Sequence, residues 1–164
     1  MDEISIDLQV TPGVDLLQRV PLFRKLGFSE TMALSGICKI EEHPDGAVLL
    51  HQDSLGQALY IIKEGAAVVR RHDPITGVEK ELATLASGEL FGEMSLIDDQ
   101  LVSADVVAKG PIELLVIPRR DFEKLLASSD KLAVKVYRCF CAALSDRLRK
   151  ANGKLAEARA KAGG

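Results

Sequence analysis

Residues able to do chemistry crowd into one stretch, where Glu89, Glu93, Ser95, Asp98, Asp99, Ser103 and Asp105 surround Gly92. In Phe91-Gly92-Glu93-Met94-Ser95 the glycine permits a tight turn, a short helical turn follows, and the N–H groups at its start can face an anion. A cation is missing. No lysine or arginine stands between Lys80 and Lys109, while Glu81, Glu89, Glu93, Asp98, Asp99 and Asp105 place six carboxylates there. The side chains are therefore expected to repel the anion that the backbone invites.

Covalent chemistry finds no support. There is no phosphate loop of the Gly-Lys-Ser type, no nucleophile elbow and no paired acid/base signature, so no catalytic residue is expected. His43, His51 and His72 are scattered without a His-x-His pair, which reads as exposed strand histidines rather than a metal site. Cys38, Cys139 and Cys141 are odd in number. Cys139 and Cys141 lie two apart in a helical pattern and face different ways, so free reduced thiols are expected.

The elements that must hold this stretch are short. From Lys39 to Pro118, β-branched runs alternate with turn residues, the mark of an antiparallel jelly-roll barrel in a mainly β fold with flanking helices. Strands are expected at 39–43, 48–51, 58–62, 66–72, 78–85, 103–108 and 112–117. The separators include Lys63-Glu64-Gly65 and Lys109-Gly110-Pro111. Short helices precede the strands. One opens at Asp15 or Thr11-Pro12, and a second runs from Ser29, as its N-cap, to Cys38. Leu22, Phe23 and Leu26 between them either close one end of the barrel or form a lid over the pocket. A helix over 119–126 leads to a long one, capped within Ser128-Ser129-Asp130 and running to about Arg159.

That long helix has two stripes. Leu132, Val136, Phe140 and Ala143 suit the barrel, whereas Val134, Tyr137, Cys141, Leu144, Leu148, Ala151 and Leu155 repeat at three and four like a coiled-coil seam. The seam predicts a homodimer. Gly153 costs roughly 1 kcal/mol in a helix interior, so the last turns are expected to fray. Charge is divided along the chain: net −10 over residues 1–130 and net +7 from Lys131 onward. The basic helix is either a solvated face or a docking surface for an acidic partner or nucleic acid. The organisation expected is an N-terminal extension over 1–13, a domain over 14–130 and a dimerisation helix over 131–160. Met1 to Asp7 carries acids where a secretory signal carries bases, and no apolar run approaches the roughly 18 residues of a membrane span, so a cytoplasmic protein is expected.

Four motifs in order then resemble the cyclic-nucleotide-binding domains of the catabolite activator and protein kinase A regulatory subunit type. They are Pro21-Leu22-Phe23; Tyr60-Ile61-Ile62 with Gly65, read as a hairpin; Leu82 to Glu93; and the phosphate-binding cassette from Gly88 to Ala108. The resemblance covers about residues 14–150. It implies a pocket of Phe91, Gly92, Glu93, Met94, Ser95, Val102, Ser103, Ala104 and Asp105. Glu93 would accept the ribose 2′-hydroxyl or else bond its own turn, and Ser103 would assist the cyclic phosphate. Val102 occupies the slot of the family's phosphate-binding Arg, Leu101 that of a Pro, and Asp105 one often held by Thr or Ser. Arg70 or Arg71 would have to swing in to replace the lost cation.

Two functions are compatible with these residues. One is a regulatory module that has lost cAMP or cGMP binding and serves as a dimeric interaction protein with an unidentified protein partner. The other is a genuine sensor relaying cyclic-nucleotide binding through the C-terminal helix. No cofactor is expected apart from that nucleotide. Only residues 160–164 follow the long helix, too few for a helix-turn-helix, so direct DNA binding is not expected.

Overall fold

The computed structural model describes residues 13–163. Two short helices, α1 (Val14–Arg19) and α2 (Phe28–Ser35), precede β1 (Lys39–His43), β2 (Val48–Leu50), β3 (Ala58–His72), β4 (Glu79–Leu85) and β5 (Leu90–Phe91). After α3 (Glu93–Asp98) come β6 (Asp105–Pro118), α4 (Arg119–Ala127) and α5 (Asp130–Ala162). The strands are antiparallel in the order β1-β6-β3-β4, with β2 also on β6 and β5 on β3. The sheet is jelly-roll-like but does not close into the expected barrel, since β1 and β4 remain its ends.

Two expected turns are bends inside long strands. Residues 58–62 and 66–72 are one strand, β3, and 105–118 are one strand, β6, paired along most of their length with register shifts between Ile62 and Ala66. Gly65 (φ +97°) and Gly110 (φ +80°) supply the left-handed conformations. At Gly65 a Cβ would lie 2.6 Å from the Pro111 carbonyl oxygen. Backbone crowding there excludes a side chain and lets both strands turn the same corner. The resemblance to a hairpin at Tyr60–Gly65 is corrected accordingly.

Alternation along β6 separates two apolar layers. Leu115 and Ile117 join Leu59 and Ile61 beneath the helices, where Leu17, Val20, Phe23, Phe122, Val136 and Phe140 are buried. Leu114 and Val116 turn inward with Leu50, Ala58, Phe91, Val102 and Val106. Leu22 and Phe23 are buried in the first layer and Leu26 packs against it.

The helix ends differ from expectation in detail. α1 starts after Gly13 in a left-handed conformation (φ +92°), not at Asp15, and Thr11-Pro12 lies outside the described residues. α2 is capped by Gly27, whose N–H donates to Glu30 Oε2 at 2.7 Å, and it stops at Ser35. Ser29, the expected cap, lies inside the first turn because Glu30 reaches back to Gly27. On α5, Ser129 is the cap and Leu132 N–H donates to its Oγ at 3.3 Å. The helix continues through Gly153 to Ala162. No helix among the described residues is long and apolar enough to cross a membrane.

Candidate functional site

The cassette is built on β5, which pairs Leu90 and Phe91 with Ile61 and Tyr60 of β3. The Phe91 and Tyr60 rings stack at 4.9 Å and 7°. Gly92 then turns the chain at φ +84°, where a Cβ would sit 2.8 Å from the Ala58 carbonyl oxygen. Only glycine fits that approach. α3 follows and rests on Gly56, whose added Cβ would meet the Ser95 Cβ at 2.4 Å.

The resemblance-derived residues part into two groups. Phe91, Gly92, Glu93 and Ser95 come together at the start of α3, with Glu93 and Ser95 buried and Met94 exposed. Val102 turns into the roll instead, and Ala104 is buried. Val102 is 5% exposed and shares the inner apolar layer with Leu50, Ala58 and Phe91. Its backbone is fastened to the 53–54 turn, Val102 N–H donating to Ser54 O at 2.9 Å and Asp53 N–H to Val102 O at 2.8 Å. Ser103 is exposed. Asp105 is committed locally, its Oδ1 accepting from Gln52 N–H at 2.6 Å. Arg70 stands opposite Asp105 and Glu81 in the strand register, and neither it nor Arg71 forms an ion pair among the described residues.

Cations nevertheless reach the cassette, from the helices. Arg147 of α5 pairs through Nη1 with Glu93 Oε1, and its Nη2 donates to Leu90 O at 3.0 Å. Burial pushes the Glu93 carboxyl up, while Arg147 and the residue's own backbone N–H pull it down. Arg119, first residue of α4, donates through Nη1 to Ser95 O at 3.1 Å and through Nε to Glu123 Oε1 at 2.8 Å, and pairs with Asp99. Of the six carboxylates, Glu93 and Asp99 are thus paired with cations, while Glu81, Glu89, Asp98 and Asp105 form no ion pair among the described residues. The signal was present: Leu132, Val136, Phe140 and Ala143 continue at the same spacing to Arg147, so the core-facing stripe of α5 ends in a cation.

Between α5 and the sheet runs a groove of about 1330 Å³, and Glu93 is the one candidate pocket residue lining it. The expected seam residues Val134, Tyr137, Cys141, Leu148, Ala151 and Leu155 are exposed, and Leu144 is half-buried. No metal-holding cluster occurs among the described residues. All three cysteines are free, and burial pushes the Cys38 thiol up to about 12, keeping it protonated.

The cyclic nucleotide-binding domain family matches residues 40–129, more than half of the chain. The chain belongs to that family. The cyclic AMP receptor protein of Thermus thermophilus is 37% identical to this cyclic nucleotide-binding domain protein over 136 residues, 82% of this chain and 60% of the receptor. The chain spans smaller shares, 23% and 17%, of a Bradyrhizobium diazoefficiens glutaminase and a Drosophila melanogaster cGMP-dependent protein kinase. Among solved structures, a cyclic nucleotide-binding domain from Methylobacillus flagellatus superposes with a TM-score of 0.75 at 26% identity, covering 87% of this chain and 83% of that one. The regulatory subunit of a cAMP-independent protein kinase A from Trypanosoma brucei gives a TM-score of 0.65 at 25% identity, over 81% and 50% of the two chains. That structure is a triple mutant bound to cAMP, and one of its substitutions turns a threonine into arginine.

Proposed function

We propose that this chain is a non-enzymatic, cytoplasmic regulatory module whose cassette no longer takes a cyclic phosphate, and which pairs with a second copy through α5 to engage a protein partner. The observation that carries this reading is Val102. Where the family's resemblance puts a guanidinium, a branched apolar side chain is packed at 5% exposure among Leu50, Ala58 and Phe91. A charge-assisted pair with phosphate contributes roughly 1.5–3 kcal/mol, and Val102 supplies neither charge nor donor. Ser103 and the α3 backbone remain, but where the resemblance implies a Thr or Ser, Asp105 holds a carboxylate that accepts from Gln52 N–H. The kinase regulatory subunit called cAMP-independent, whose cAMP-bound form carries an introduced arginine, supports the same logic.

A second reading rests on the Glu93–Arg147 pair. A ribose hydroxyl bound to Glu93 would compete with Arg147, and release of Arg147 would move α5, as a sensor requires. Thermal unfolding in millimolar cAMP or cGMP separates the two. A ligand at a hundred times its Kd stabilises by roughly 2.7 kcal/mol, so the first reading predicts an unchanged Tm and the second a clear rise.

A further inference from the structure

The groove beside α5 bears on which partner such a module takes. At about 1330 Å³ it exceeds the roughly 300–1,000 Å³ of small-molecule pockets. Its floor is apolar, with Val20, Leu22, Leu85, Leu90 and Phe140. Its α5 wall is cationic and includes Cys141, Leu144 and Ala151, which also belong to the expected seam. Lys135, Arg147 and Lys150 are neutralised by Glu30, Glu93 and Asp146. Arg138 and Lys154 on that wall, and Lys25 on the side facing it, are exposed and form no ion pair among the described residues.

Length and backbone narrow the occupant. From Lys135 to Lys154 the helix rises about 28 Å, which an extended segment of about eight residues would span. β4 ends the sheet and pairs only with β3 among the described strands, and its last residues, Ala83, Thr84 and Leu85, line the groove. A terminal strand offers unpaired backbone groups to an added one. Nucleic acid suits the groove less, because its floor is apolar.

We infer that this groove receives an acidic, extended segment of a partner protein, alternating apolar and carboxylate side chains, which adds to the β4 edge and sets its acids against Lys25, Arg138 and Lys154. The inference rests on the interaction-module reading and names the chemistry of the partner. Its test is fluorescence anisotropy of a labelled decapeptide of alternating glutamate and leucine against the full chain, with a lysine–leucine peptide as control. The glutamate peptide binds, the lysine peptide does not, and Arg138→Glu combined with Lys154→Glu weakens binding at least tenfold. These exposed, unpaired residues can be reversed without disturbing the core, and an unchanged Tm of the double variant verifies it. No binding to the wild type, equal binding to the double variant, or tighter binding of a single-stranded oligonucleotide overturns the inference. Cyclic AMP is titrated in parallel. If the peptide fails and cAMP also leaves Tm unchanged, only the docking inference is lost. A cAMP-dependent rise in Tm instead removes the interaction-module reading on which it rests.

Discussion

Arg147, near the middle of the long C-terminal helix, holds the buried carboxylate of Glu93 on the first turn of α3 and caps the Leu90 carbonyl with the same guanidinium. The two residues lie 54 positions apart, so one contact ties the cassette to the helix bearing the exposed seam. Arg119 makes a parallel tie from α4 through the Ser95 carbonyl.

Removing Arg147 leaves a buried acid without its partner. Arg147→Ala is expected to destabilise by about 1–3 kcal/mol at neutral pH, the range for an orphaned buried polar group. Burial already raises the Glu93 carboxyl above its ordinary value, and loss of the guanidinium raises it further. A raised acid destabilises the fold above its folded pKa, and protonation relieves that cost. The stability gap to wild type therefore narrows as the pH falls through the carboxylate range. Urea unfolding across that range measures it, and Glu93→Gln in the Arg147→Ala background removes the pH dependence.

Val102→Arg places a guanidinium in the inner apolar layer. Alone it should cost at least about 2 kcal/mol through overpacking and charge burial. Combined with Asp105→Thr, it is expected to gain cAMP-dependent heat in calorimetry, with threonine left to accept the Gln52 N–H that Asp105 Oδ1 now takes. A folded double variant producing no heat would mean that something other than the missing cation closes the site.

Glu30 links α2 to α5 by accepting from Lys135 Nζ at 2.9 and 3.0 Å and from Gly27 N–H at 2.7 Å. The Lys135 contact, then the Gly27 bond, hold its carboxyl below the usual range. A depressed acid contributes stability above its unfolded pKa and loses it as the pH falls through the folded one. Glu30→Gln should cost roughly 1 kcal/mol at neutral pH, and the difference should vanish on acidification. Thermal melts at neutral and acid pH check both signs.

The α5 seam is tested by Leu148→Asp. Leu148 is 61% exposed in the single chain, so the substitution leaves the core intact and should keep Tm of the isolated protomer while halving the mass seen by analytical ultracentrifugation. An unchanged mass would remove the seam from the account.

Local signals in the chain carried most of the architecture. The turn at Gly92, the α5 stripe of Leu132, Val136 and Phe140, and the cap at Ser129 are all short-range patterns. Gly65 and Gly110 misled because a glycine that bends a strand and one that ends it have the same local preferences, and only the approach of Gly65 to Pro111 distinguishes them. At the cassette the backbone geometry was legible, but its cations were not, since Arg119 and Arg147 are remote in sequence. Extending the α5 stripe one step of four beyond Ala143 reaches Arg147. Burial of Val102 could not be read from its identity, because its slot implied a pocket-facing residue.

Calorimetric titration of the intact chain with cAMP and cGMP addresses the central claim most directly. With Val102 in the interior and Arg147 already seated on Glu93, neither nucleotide is expected to give a saturable heat up to millimolar concentration. A saturable isotherm with micromolar or tighter affinity, abolished by Glu93→Ala, would contradict the account and make the chain a nucleotide sensor.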